Sequence, residues 1–172
     1  GRSTGGTLSI SGGYIIHSFT TVGTSYFTPA FSGSVEVLIV GGGGGGGPTL
    51  GGGGGAGGVI WIPSTNVILG ASYEVIVGAG GGQQTNGQLS RVFGATAAGG
   101  GTSGQYDSVG TNGGSGGGAG GDNNDGILNK GGASSGNILG TNNGIANVGI
   151  IYGCSGGSMI LARNGTPIRG AG

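Results

Sequence analysis

Oxygen-bearing side chains are densest at Asp122-Asn123-Asn124-Asp125-Gly126, where a turn containing glycine could gather them around one ion. Carboxylate and amide oxygens are the ligands that Ca²⁺ takes in proteins, so Asp122 and Asp125 are the candidate metal ligands. An EF-hand loop would end in an acidic residue several positions further on, and residues 128–132 contain none. The favoured interpretation is therefore a polar turn, and we expect neither a metal nor another cofactor.

Nucleophilic or acid–base catalysis would have to use His17 and Cys154, the only histidine and the only cysteine of the chain. Such a mechanism needs the two side chains in contact, with an acid such as Glu36 or Glu74 orienting the base. The spacing of these residues does not favour that arrangement. We predict that His17 is a partly buried structural residue, that Cys154 is a small buried hydrophobic residue, and that the chain is not an enzyme.

The β-forming run at 35–40 and the seven glycines at 41–47 satisfy the G-x-G-x-x-G pattern of dinucleotide-binding proteins. That site also needs a helix whose N-terminus meets the pyrophosphate, and an acidic residue about twenty positions further on. Here Pro48-Thr49-Leu50 and more glycine follow instead. Lys130 is the only lysine and is not part of a Gly-Lys-Ser or Gly-Lys-Thr motif, so nucleotide binding is not expected.

The charge of the chain argues against several classes of partner. Among 172 residues there are five basic and five acidic side chains, and the formal net charge is zero. A nucleic-acid partner or an anionic lipid surface would call for a basic patch, so neither is expected. No apolar stretch approaches the roughly 20 residues that span a bilayer, and membrane insertion is not expected either. A large uncharged polar surface suggests assembly, or a sugar-rich or icy neighbour.

The elements that must position any site are runs of β-branched and aromatic residues separated by glycine blocks. Helical periodicity is absent. The expected strands are 14–19, 24–31, 35–40, 59–63, 73–77, 89–93, 149–152 and 158–162. The expected core anchors are Val37, Ile39, Val59, Trp61, Val75 and Val77. Tight reversals are predicted at four Asn-Gly pairs, because both residues tolerate positive φ: Asn86-Gly87, Asn112-Gly113, Asn143-Gly144 and Asn164-Gly165.

Glycine accounts for 53 residues, many of them in uninterrupted blocks such as 41–47 and 51–55. Glycine inside a regular element costs about 0.5–1 kcal/mol relative to alanine, so these blocks are either flexible linkers or a structure that only glycine can enter. Collagen is excluded, because glycine is not at every third position and proline occurs only four times. Polyglycine II threads, with three residues per turn and no internal hydrogen bonds, remain.

Polar loops between the glycine blocks are the candidate binding elements. They are uncharged or nearly so and span 83–88, 104–112, 122–129 and 140–147. Amide and hydroxyl groups with an occasional aromatic ring are typical of carbohydrate binding, and loops on a rigid scaffold are where binding residues usually lie. The candidate contact residues are Tyr106, Asp107, Asn123 and Asn124, although simple connectors would have the same composition.

The succession Phe31-Ser32-Gly33-Ser34-Val35-Glu36-Val37-Leu38-Ile39-Val40-Gly41, with the runs at 51–60 and 73–81, resembles the glycine-rich domain of phage and other viral tail-fibre proteins. The segment at 157–163 is similar to the final strand of that domain. A more distant likeness is to the glycine-rich extracellular domain of anaplastic lymphoma kinase receptors. The resemblance implies a β-sandwich from which polyglycine II helices extend as a bundle, with loops at its tip contacting a host receptor.

We therefore expect one all-β domain over 1–172 with essentially no α-helix, combining a small β-sandwich with a polyglycine II helix bundle. The strand-rich parts are 14–93 and 149–163, and the glycine-, asparagine- and serine-rich threads and loops are 94–148. The chain begins without methionine, as a processed product or one piece of a longer protein would.

The expected function is attachment or display, outside the cell or on a virion surface, through a host-surface glycan or protein. One alternative is a structural subunit of a self-assembling fibre or appendage, in which the partners are further copies of the chain in a homo-oligomer. The other alternative is an ice-binding protein, because a glycine-helix bundle presents a flat and regular surface.

Overall fold

The computed structural model describes residues 1–106, 108–121, 130–142, 145–146 and 149–156. These residues form strands and no helix, which confirms the all-β class. The predicted strand at 158–162 and the Asn-Gly pairs at 143–144 and 164–165 lie outside the described residues. The strands are β1 (Thr7–Ser11), β2 (Tyr14–Ser18), β3 (Gly23–Phe27), β4 (Gly33–Val40), β5 (Val59–Val67), β6 (Tyr73–Val77), β7 (Ser90–Val92), β8 (Ala95–Ala97), β9 (Thr141–Asn142), β10 (Ile145–Ala146) and β11 (Ile150–Tyr152).

Two antiparallel sheets contribute to a shared core, as a β-sandwich requires. One has the order β11-β5-β4 and the other the order β3-β6-β7-β8. Strands rich in β-branched and aromatic residues suit a sheet that buries one face against a second sheet. The buried apolar cluster takes residues from both sheets: Phe27, Ile39, Ile60, Ile62, Val67, Val75, Val92, Phe93, Ala95 and Ala97.

The predicted anchors are correct for three strands and wrong for β5. Ile39 and Val75 are buried, and Val37 and Val77 pack partly buried against the cluster. On β5, however, Ile60 and Ile62 are fully buried, while Val59 and Trp61 alternate with them on the opposite face. The run 59–62 is apolar at every position, so its period of two does not indicate which face is the core face.

The hairpin of β1 and β2 precedes the sandwich and is fastened at its base. The backbones of Thr4 and Thr28 exchange hydrogen bonds of 2.9 and 3.0 Å. The half-buried His17 donates from Nδ1 to the carbonyl of Gly5 at 2.7 Å, and its ring meets the ring of Phe27 edge-on, with centroids 5.1 Å apart. His17 therefore occupies the structural role that the sequence predicts.

Extended glycine segments leave the sandwich strands and return to them as hydrogen-bonded neighbours. The N–H groups of Gly41, Gly44 and Gly47 donate to carbonyls of 51–58 at 2.8–3.3 Å. Donors of 51–58 bond in turn to 98–104, again at every third residue. The six segments referred to below as the glycine segments are 41–47, 51–58, 78–82, 85–88, 98–104 and 113–120.

Close approach, and not unusual backbone torsion, explains why these segments consist of glycine. A Cβ on Gly42 would overlap the carbonyl oxygen of Ala79, and a Cβ on Gly45 would overlap that of Gly82. None of the glycines with positive φ lies in 41–58, 78–88 or 98–120. Other residue types could adopt the backbone torsions of these segments, but their side chains would not fit between the neighbouring backbones.

Candidate functional site

Three loops that are far apart in the sequence meet at the end of the glycine segments that is remote from the sandwich. Segment 41–47 continues from β4, and 51–58 leads back into β5, so the loop 48–50 between them lies at the remote end. By the same topology, 83–84 joins the segments that follow β6 and precede β7, and 105–108 follows the segment after β8. These three connections are called the distal loops.

Backbone hydrogen bonds hold the distal loops at one level. The N–H of Gln84 donates to the carbonyl of Gly46 at 3.2 Å. Gly52 donates to Gly104 at 3.3 Å, and Gly121 donates to Leu50 at 2.6 Å. Each bond ties one loop, or the residue next to it, to a different segment, so the loops form one surface.

Local turns set the conformation of each distal loop. The N–H of Gln105 donates to Oγ of Ser108, and the N–H of Ser108 donates back to the carbonyl of Gln105, both at 2.9 Å. This reciprocal turn presents Tyr106 with 48% of its surface exposed. Leu50 and Gln84 have φ of 48° and 57°, a left-handed conformation that costs a non-glycine residue on the order of 1–3 kcal/mol. The bundle holds both residues in this strained form.

The chemistry of this surface is suited to binding. Its described side chains combine amides, a hydroxyl, a phenol ring and small apolar groups: Pro48, Thr49, Leu50, Gln83, Gln84, Gln105, Tyr106 and Val109. Amides donate and accept hydrogen bonds, and the exposed ring supplies an apolar face with a polar tip. None of these described side chains is charged, so the surface can recognise neutral polar groups.

The structure places only part of the predicted contact set. Tyr106 lies on a distal loop, whereas Asp107, Asn123 and Asn124 are outside the described residues. The proposed metal ligands Asp122 and Asp125 are also outside them. Among the described residues, no three His, Cys, Asp or Glu side chains are grouped closely enough to hold a metal ion.

The interpretation of 140–147 as an exposed binding loop is wrong for the part that is described. Asn142 is buried beside β5, where its Nδ2 donates to Oγ1 of Thr65 at 2.9 Å and to the carbonyl of Asn66 at 2.8 Å. A polar side chain that leaves water must recover its hydrogen bonds, and this amide does so against the sandwich. The loop therefore lies against a sandwich strand.

The predicted reversal at Asn86-Gly87 is also wrong. The turn lies at Gln83-Gln84, and Asn86 continues into a glycine segment. There its Oδ1 accepts hydrogen bonds from the N–H of Thr102 at 2.7 Å and from Oγ1 of Thr111 at 2.6 Å. The chain does bend after Asn112-Gly113, at 114–115.

Sequence reasoning missed the loop 48–50 and misjudged Cys154. The signal for the loop was available, since Pro48-Thr49-Leu50 interrupts two glycine blocks and proline disfavours continuation of either. Cys154 is exposed, and the prediction of a buried residue is wrong. Its N–H donates to Oγ of Ser115 at 3.2 Å, which places it on the outside of a glycine segment.

Membrane-spanning helices were sought in the same ranges. Within the described part of the chain, no helix is long and apolar enough to cross a bilayer.

Comparison with known proteins gives one match. A family model described as a glycine-rich domain matches residues 20–172. The match begins after the β1–β2 hairpin and includes both sheets of the sandwich and all of the glycine segments. No curated protein and no solved structure matches the chain.

Proposed function

The chain belongs to the glycine-rich domain family, and from that premise we propose that it is a non-enzymatic attachment or display domain of a viral fibre or adhesin. In this proposal it acts outside the cell or on a virion surface. Its partner is a host-surface glycan or protein, bound by the distal loops, and the glycine segments serve as the support that carries them.

The observation that carries the proposal is the convergence of the three distal loops on one hydrogen-bonded bundle. Each loop closes between segments whose backbone groups bond to their neighbours, so little ordering remains to be done when a ligand binds. Loops carried by a rigid scaffold are a common site of recognition. Two distal residues, Leu50 and Gln84, also hold strained backbones, a feature that tends to accompany functional surfaces.

The conformation of the glycine segments is part of the proposal. Their donors recur at every third residue, as in 41, 44 and 47, which is the repeat of polyglycine II. Their carbonyls and N–H groups bond to neighbouring segments, which a helix without internal hydrogen bonds requires. Such a bundle stays extended and rigid, and it would keep the distal loops away from the sandwich.

The composition of the distal loops favours a neutral and polar partner. Gln83, Gln84 and Gln105 offer amides, and Tyr106 offers a ring on which a sugar or an apolar side chain could stack. Surface charge contributes little, because the described distal side chains carry none. We therefore expect binding that changes little with salt concentration, unlike electrostatic adhesion.

A glycan and cell-surface binding screen with two tyrosine variants tests the proposal. Tyr106→Ala removes the distal ring, while Tyr26→Ala removes a ring that is similarly exposed, at 55% against 48%, on strand β3. We expect Tyr106→Ala to weaken binding at least about tenfold, as loss of a central aromatic contact does, and Tyr26→Ala to leave it unchanged. Equal loss in both variants, or no loss in Tyr106→Ala, would contradict a distal binding site.

A fibre subunit is the second candidate, and one observation favours it. The outer face of sheet β11-β5-β4 carries exposed apolar side chains, which suits contact between copies. Binding to glycans or cells with no assembly supports the attachment domain. Assembly into filaments with no such ligand supports the structural subunit.

A further inference from the structure

Sheet β11-β5-β4 is apolar on both of its faces. Residues that pair directly across antiparallel strands point to the same side of the sheet. The inner side carries Ile39, Ile60 and Ile62 into the core. The opposite side carries two rungs of three apolar residues each, here called the outer face: Leu38, Trp61 and Ile150 in one rung, and Val40, Val59 and Tyr152 in the other.

The outer face is largely open to solvent. Leu38 is 66% exposed, Val40 and Tyr152 are 52% exposed, and Ile150 is 45% exposed. One charged side chain adjoins this face, and it is already engaged, since Oε1 of Glu36 accepts a hydrogen bond of 2.6 Å from Nε1 of Trp61. The face therefore combines exposed apolar surface with almost no free charge.

We infer that the outer face is an interface between two copies of this chain. Its six apolar residues carry no charge, and the chain as a whole has a formal net charge of zero, so two copies meet without like-charge repulsion. A twofold contact needs a patch that is complementary to itself, and a sheet face of uncharged apolar side chains satisfies that condition. Two such faces would stack about 10 Å apart, as the sheets of a sandwich do.

The size of the outer face supports a contact of moderate strength. Buried aliphatic side chains contribute about 60–120 Å² each and aromatic ones about 150–250 Å², so the exposed fractions amount to roughly 300 Å² of apolar surface per copy. A standard interface buries about 800 Å² per partner, of which about 60% is apolar. The outer face supplies more than half of that apolar area, so we expect dimers that form at micromolar concentration.

The interface is separate from the proposed binding surface. The outer face belongs to the sandwich, while the distal loops lie at the remote end of the glycine segments. A dimer would display two sets of distal loops, which raises the avidity for a surface that carries many receptors. The dimer does not depend on the proposed function, and failure of one leaves the other testable.

Sedimentation velocity from about 1 to 100 μM, a range that brackets micromolar association, tests the interface with a matched pair of variants. Leu38→Lys places a charge on the outer face, and Ile10→Lys places one at a site that is 70% exposed on hairpin strand β1. We expect the wild type and Ile10→Lys to dimerise alike. Leu38→Lys should weaken association at least about thirtyfold, because two lysines would be buried without partners.

Trp61 gives a second measurement because it is the only tryptophan of the chain. Its quenching by acrylamide should fall as the wild-type concentration rises, and should stay constant in Leu38→Lys. An unchanged unfolding temperature in Leu38→Lys shows that the fold is intact. A wild type that is monomeric throughout, a Leu38→Lys variant that dimerises normally, or equal loss in Ile10→Lys each overturns the proposal.

Discussion

A Cβ on Gly54 would overlap the carbonyl oxygen of Gly44 in the neighbouring glycine segment. A Cβ on Gly53, one residue earlier in the same block, would meet no atom within 4 Å. Neither glycine has positive φ. Within one uninterrupted block of glycine, the structure therefore separates positions where glycine is required from positions where it is not.

Gly54→Ala should destabilise the protein, while Gly53→Ala should not. The first substitution forces two backbones apart and should cost about 1–3 kcal/mol or more in the free energy of unfolding. The second reduces the freedom of the unfolded chain and should be neutral or stabilising by up to about 1 kcal/mol. Denaturant unfolding of both variants measures the difference. Equal stability of the two would mean that the segments are flexible linkers.

Two buried serines provide the next test, because one has a hydrogen-bond partner and the other does not. Oγ of Ser90 accepts from the N–H of Gly78 at 3.0 Å, whereas Oγ of Ser103 has no partner in the described part of the chain. Ser90→Ala should lose about 1–3 kcal/mol, because it leaves a buried N–H unsatisfied. Ser103→Ala removes an uncompensated hydroxyl and should be neutral or stabilising. Thermal unfolding compares them, and a larger loss in Ser103→Ala would contradict this assignment.

The sequence was sufficient to predict strand type and insufficient to predict strand facing. β4 and β6 alternate or concentrate β-branched residues, and both were predicted nearly to their ends. In β5 the apolar run 59–62 fits either facing, and only contact with the second sheet decides that Ile60 and Ile62 are inside. The outer face was hidden from sequence reasoning for the same reason.

The distal loops show a second limit. Asn86-Gly87 has the composition of a reversal, yet the chain turns at Gln84, whose backbone takes the left-handed conformation that asparagine favours more. The hydrogen-bond register of the glycine segments sets the place of the turn, because Gln84 must reach Gly46. Local propensity is overruled here by contacts between residues almost forty positions apart.

Asn86 should stabilise the bundle through its side-chain oxygen. Oδ1 accepts from the backbone N–H of Thr102 and from the hydroxyl of Thr111. Asn86→Ala removes both bonds and should lower the free energy of unfolding by about 1–2 kcal/mol, since each bond contributes about 0.5–1.5. Asn86→Asp keeps an acceptor oxygen at the same position and is the matched control. A loss in Asn86→Asp as large as in Asn86→Ala would show that the oxygen is not what matters.

Cys154 should react with a thiol reagent in the folded protein. The side chain is exposed, and it is the only cysteine, so one equivalent of a chromogenic disulfide should be consumed per chain without denaturant. Because the thiolate is the reacting species and access is unhindered, the rate should lie within about tenfold of the rate for the unfolded chain. Cys154→Ser provides the blank. A rate slower by a thousandfold or more, rising only when the protein unfolds, would restore the buried position that the sequence suggested.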